Sequence, residues 1–216
     1  MDPDTRRESS SSSEPMSTFG LPPEMRVNLE RTRLLLCDDN EQALSVESAM
    51  FRGFGMHRQY KASNAKEAMG IISSREVDLI VMDCGMPDMD GYDFVKWLRT
   101  EGPGDAAYIP AILMTGHAAR SLVEKSRDCG ANFVISKPFT PQVLLQRVFW
   151  VAKDERQFVR TAGYVGPDRR VRNLGPPPGK KGRRSTDLSL KVGAAKDPNM
   201  DQYEIDSLMK PQKVIL

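Results

Sequence analysis

Cysteine, histidine, aromatic side chains and long apolar runs are all scarce in this 216-residue chain, and each shortage closes off a class of protein. The three cysteines, Cys37, Cys84 and Cys129, are odd in number and lack metal-ligand spacing. That argues against a disulfide framework and for buried or half-buried thiols in a reducing compartment. The two histidines, His57 and His117, also lack a partner at metal-ligand spacing and read as solvated surface residues. No apolar run approaches the roughly 20 residues that cross a bilayer. The stretch 1–20 is rich in serine and acids and has no hydrophobic segment of the secretory kind, so a soluble cytoplasmic protein without membrane association is expected. Charge is nearly balanced, 31 basic against 29 acidic residues, so overall charge selects no partner.

What is present is concentrated in the middle of the chain. Residues 1–29 are too polar to bury a core and read as a disordered N-terminal tail. Between 32 and 156, short apolar runs alternate with amphipathic stretches of helical length. The runs are LLLC (34–37), VDLIVM (77–82), IPAILM (109–114) and ANFVIS (131–136), with a weaker HRQYKA (57–62). Strands buried on both faces and separated by crossovers of helical length predict a parallel sheet covered by helices, five strands and five helices in strict alternation. Helix starts are marked by Asn40, by Asn64 with Glu67 three residues on, and by Thr140 followed by Pro141. The first helix is expected to turn Ala43, Val46, Met50 and Phe54 to one face. Residues 157–199, dense in Gly, Pro, Arg and Lys without helical or strand period, read as a basic tail. Residues 200–216 recover a short amphipathic pattern in Tyr203, Ile205, Leu208 and Met209.

In an open parallel sheet, functional groups gather where the strands end. Asp38 and Asp39 follow the first run, Asp83 the third, Thr115 the fourth and Lys137 the fifth. Converging carboxylates repel unless a cation intervenes, and oxygen-only ligands favour Mg²⁺. A lysine and a hydroxyl opposite would hold phosphoryl oxygens, which fits in-line phosphoryl transfer with Asp83 as nucleophile.

This set, with MPDMDG after Asp83 and KPF after the last strand, resembles the CheY-like receiver domain of bacterial response regulators in both order and spacing. The resemblance covers roughly residues 32–154 and implies a doubly wound, flavodoxin-like (βα)5 α/β fold with disordered extensions. It implies that Asp83 accepts phosphate from a histidine kinase or phosphotransfer protein. Asp38, Asp39, Asp83 and the Gly85 carbonyl would serve Mg²⁺, while Thr115 and Lys137 would hold the phosphoryl group. The chain would catalyse only its own phosphorylation and dephosphorylation and signal by protein contact. An aspartyl-phosphate phosphohydrolase would need a second aspartate where Gly85 stands. An inert, docking-only receiver usually loses one of the five residues, and all five are here. One position departs from the family: Val134 stands where many receivers carry a rotating Tyr or Phe, with Phe133 one place earlier.

The extensions raise two further readings. The basic stretch first reads as a solvated tail. Its GPDRR and GRRSTD pairs, Arg169, Arg170, Arg183 and Arg184, also resemble the arginine-rich extensions of CheY-like proteins that bind cyclic di-GMP, with Tyr164 as a stacking face. That is the alternative function, a nucleotide sensor with the receiver as scaffold. General nucleic-acid binding is not expected, because aromatics are too few for a reading surface. The segment YEIDSLM is similar to short helices by which flagellar switch components engage CheY-like receivers. It would dock on the face between the fourth and fifth helices or on a neighbouring copy, with a chemotaxis or flagellar component as one possible target.

Overall fold

The computed structural model describes residues 28–161, 163–169 and 199–209. Its centre is a five-stranded parallel sheet in the order β2-β1-β3-β4-β5, with β1 Arg33–Cys37, β2 Arg58–Ala62, β3 Leu79–Asp83, β4 Ala111–Thr115 and β5 Phe133–Ser136. Alternate side chains of each strand feed opposite cores. Leu34, Leu36, Leu79, Val81, Ile112 and Ile135 meet α1 (Glu41–Gly53) and α5 (Pro141–Ala152) on one side. Leu35, Ile80, Met82, Leu113 and Val134 meet α2 (Ala65–Ser74), α3 (Gly91–Thr100) and α4 (Arg120–Cys129) on the other. The doubly wound α/β expectation holds.

Local signals act where they were read. Asn40 Oδ1 accepts from the amides of Gln42 and Ala43, and Thr140 Oγ1 accepts from Val143 ahead of α5. Asn64 caps α2 through the Glu67 amide, but the Glu67 carboxylate reaches back one residue further, to the amide and hydroxyl of Ser63. The inward face of α1 differs from expectation. Leu44, Glu47, Ser48 and Phe51 are buried, whereas Val46 is 55% exposed. The stripe through Ala43, Val46 and Met50 has the same helical period, so periodicity alone could not choose between them.

Two corrections concern the chain ends. Leu29, assigned to the disordered tail, is buried in the core; residues 1–27 lie outside the described residues. The expected structureless basic tail begins instead with an antiparallel hairpin, β6 (Phe158–Thr161) and β7 (Tyr164–Pro167). Its stability comes from tertiary contacts that no local period encodes. Phe158 lies under the Arg99 guanidinium and edge-on to Tyr108. Gly166 approaches Gly130 so closely that an added Cβ would stand 2.8 Å from the Gly130 Cα. Finally, α6 (Gln202–Met209) packs against β5 and α4, on the face named for it by resemblance.

Candidate phosphoacceptor site

The carboxyl edge of the sheet gathers four of the strand-end residues. The parallel ladder sets Cys37 beside Met82, Asp83 beside Met114 and Thr115 beside Ser136, so the groups that follow converge. Lys137 is fixed further by its amide, which donates to the Thr115 carbonyl. Its Nζ then lies 2.6 Å from Asp38 Oδ2, 2.7 Å from Asp83 Oδ1 and 3.5 Å from Glu47 Oε1. The lysine is the hub of a carboxylate cage.

Each carboxylate has a distinct environment. Asp38 is buried, with Oδ1 accepting from the Asn40 amide and Oδ2 from Lys137. Asp83 is half-buried, and its Oδ2 accepts from the Gly85 amide. Gly91 explains part of the MPDMDG run. A Cβ there would stand 2.6 Å from the Asp83 carbonyl oxygen, so only glycine lets α3 start this close to the strand end. Asp39 is exposed. Thr115 lies at the same edge, but its hydroxyl donates to the His117 carbonyl and accepts from the His117 amide.

Glu47 was not read as a site residue. It is 3% exposed, and its Oε2 is buried without a hydrogen-bond partner. Burial pushes its carboxyl up to about 7, against the opposing pull of Lys137. The only signal in the sequence is an acid on a helix whose two apolar stripes compete for the core. Lys137 itself is pushed down by burial, but its hydrogen bonds to Asp38 and Asp83 outweigh that and raise it above the ordinary lysine value. Burial also raises the Cys37 thiol to about 12, so this free cysteine beside Asp38 is an unreactive core group.

Among the described residues no group of three or more acidic, histidine or cysteine side chains is arranged around a metal position. Lys137 is the cation between Asp38 and Asp83 instead. The donor set nevertheless fits a hard divalent ion. Asp38, Asp39, Asp83 and Glu47 offer only oxygen, and one lysine leaves their combined charge in excess.

The arginine site named in the sequence is placed only at Arg169; Arg170, Arg183 and Arg184 lie outside the described residues. The Arg169 guanidinium stacks 3.7 Å over the Tyr164 ring and pairs with Asp128 on α4. The two groups offered to a base are turned to each other. His57 and His117 are exposed, and all three cysteines are free and buried.

A family model described as "Response regulator receiver domain" matches residues 34–149, more than half of the chain. The chain belongs to the response-regulator receiver family. A probable chemotaxis protein CheY of Rhizobium etli is 30% identical over 112 residues, covering 51% of this chain and 84% of that protein. The sensory/regulatory protein RpfC of Xanthomonas campestris is 24% identical over 140 residues, 65% of this chain and 19% of that protein. Among solved structures, a signal receiver domain of a histidine kinase from Syntrophus aciditrophicus superposes with a TM-score of 0.52 at 29% identity, covering 62% of this chain and 99% of that one. No helix among the described residues is long and apolar enough to cross a membrane.

Proposed function

We propose that this receiver is phosphorylated on Asp83 in a Mg²⁺-dependent reaction, by a histidine kinase or a phosphotransfer protein, and signals by protein contact. The observation that carries this is the Lys137 ammonium held between Asp38 and Asp83 at one sheet edge. An Asp83 carboxylate oxygen attacks the phosphorus of a phosphohistidine, a P–O bond forms, and the P–N bond breaks as the imidazole leaves with a proton. Lys137 compensates the added charge, and the Gly85 amide holds the Asp83 carboxylate in orientation. Asp38, Asp39, Asp83 and the Gly85 carbonyl would hold the Mg²⁺, which would supply charge neutralisation for the phosphoryl oxygens. Thr115 completes the site by turning its hydroxyl from His117 to the phosphoryl group. The step transfers phosphate to the protein itself rather than turning over a separate substrate.

Incubation with Mg²⁺ and acetyl phosphate, followed by intact-mass measurement, tests the reading. One phosphoryl adduct is expected on the wild-type chain and none on Asp83→Asn. An adduct that persists in Asp83→Asn, or a wild type that never acquires one, overturns it. Nothing in the placement of Arg169 favours the cyclic di-GMP reading over this one, since its charge is compensated by Asp128.

A further inference from the structure

Helix α6 covers a surface that is otherwise an open sheet edge. β5 is the last strand of the sheet, so its outer backbone groups need partners. The Gln202 side chain supplies them as a neighbouring strand would: Nε2 donates to the Val134 carbonyl at 2.9 Å, and Oε1 accepts from the Ser136 amide at 2.9 Å. Ile205 and Met209, four residues apart on one helical face, are buried in the apolar cluster that contains Ala118, Val123 and Val134. Asp206 pairs with the buried Arg147 of α5. At the N-terminal end the Met200 amide donates to the Ala118 carbonyl at 2.8 Å, and Asn199 Oδ1 accepts from the Ala118 amide at 3.1 Å.

The helix is built to hold its own shape. Asp201 Oδ1 accepts from the Glu204 amide, and Glu204 Oε2 accepts from the Asp201 amide, a reciprocal cap. Two apolar anchors at i and i+4, a flanking ion pair and a capped start are the way a short amphipathic helix sits in a groove as a ligand.

Both ends of this contact abut the site. Ala118, clamped by Asn199 and Met200, follows His117, whose backbone holds the Thr115 hydroxyl. Ser136, clamped by Gln202, precedes Lys137. We propose that residues 199–209 are a tethered internal ligand of the α4–β5–α5 face, and that phosphorylation of Asp83 loosens it. A Thr115 hydroxyl that turns to a phosphoryl oxygen gives up both bonds to His117, and the loop then leaves the geometry in which Ala118 meets α6. By linkage the reverse holds: a docked α6 resists phosphorylation. Val134 suits this arrangement: it is buried in the same apolar cluster as Ile205. The inference rests on phosphorylation at Asp83.

The full-length chain tests it in two ways. A fluorescent peptide of residues 199–209 should bind the Ile205→Asp chain about tenfold more tightly than the wild type, where α6 competes in cis. Equal binding, or no binding to the variant, overturns the idea of an internal ligand. Amide exchange over 199–209 is then followed with acetyl phosphate and Mg²⁺ while intact mass is monitored. An adduct accompanied by roughly tenfold faster exchange is the expected result. An adduct with unchanged or slower exchange overturns the coupling and leaves the receiver reading standing; absence of an adduct removes both.

Discussion

The Lys137 ammonium lies 2.6 Å from a carboxylate oxygen of the buried Asp38, and the same ammonium is the nearest cation to Asp83 and Glu47. One side chain therefore balances three acids. Replacing it by alanine leaves those charges uncompensated, a loss of about 3–5 kcal/mol for a buried pair broken on one side. Added Mg²⁺ should recover part of it. Lys137→Ala is expected to melt below the wild type without metal and to gain more from Mg²⁺ than the wild type gains, read by thermal unfolding with and without the ion. An equal Mg²⁺ response in the two proteins would argue against a shared cation position.

Glu47 gives a pH dependence with a definite sign. Its folded value, about 7, lies above the unfolded carboxyl value, so the folded state holds the proton more tightly between them. Stability contributed by this group is present at acid pH and is lost as pH rises through 7. Glu47→Gln removes the titration. The variant should match the wild type near pH 5 and exceed it near pH 8 by roughly 2 kcal/mol. Urea unfolding at the two pH values measures this, and a variant less stable at both would refute the assignment.

Much of the fold could be read from the sequence because its signals are local. β1, β3, β4 and β5 are apolar runs, and the caps at Asn40, Asn64 and Thr140 are written within four residues of the helices they start. The strand-end residues Asp38, Asp83, Thr115 and Lys137 followed from strand ends alone. What escaped depends on contacts between distant segments. Arg99 and Arg147 are 1% and 2% exposed, and nothing local in the sequence marks them as buried, because their partners come from other elements. The hairpin escaped for the same reason, since Phe158 and Gly166 are held by Arg99 and Gly130 rather than by strand propensity.

Arg99 is a buried cation that works through carbonyl dipoles. Its Nε donates to Gly130 O, one terminal nitrogen to the carbonyls of Ala107 and Ile109, and the other to Asn132 Oδ1. Burial pulls it down to about 10, still charged at neutral pH. Arg99→Ala strands several buried acceptors and removes the ring contact with Phe158, with an expected loss of about 3–5 kcal/mol in urea unfolding. A loss below about 1 kcal/mol would mean that water replaces the guanidinium at low cost.

The two glycines between the receiver and the hairpin make the sharpest packing test. Gly130 ends α4 with φ of 95° and would place a Cβ 2.4 Å from the Val165 carbonyl oxygen. Alanine there is penalised twice, once by the left-handed backbone and once by collision with β7. The collision is with backbone, so no side chain can rotate away; the hairpin must lift, and Phe158 loses its place beside Arg99 and Tyr108. Gly130→Ala should therefore speed amide exchange across 158–167 by more than it changes exchange in β1 or β3. Since Asp128, two residues before Gly130 at the end of α4, holds Arg169, the same variant should expose that arginine to solvent. Uniformly faster exchange through the whole sheet would instead assign Gly130 to the stability of the receiver core.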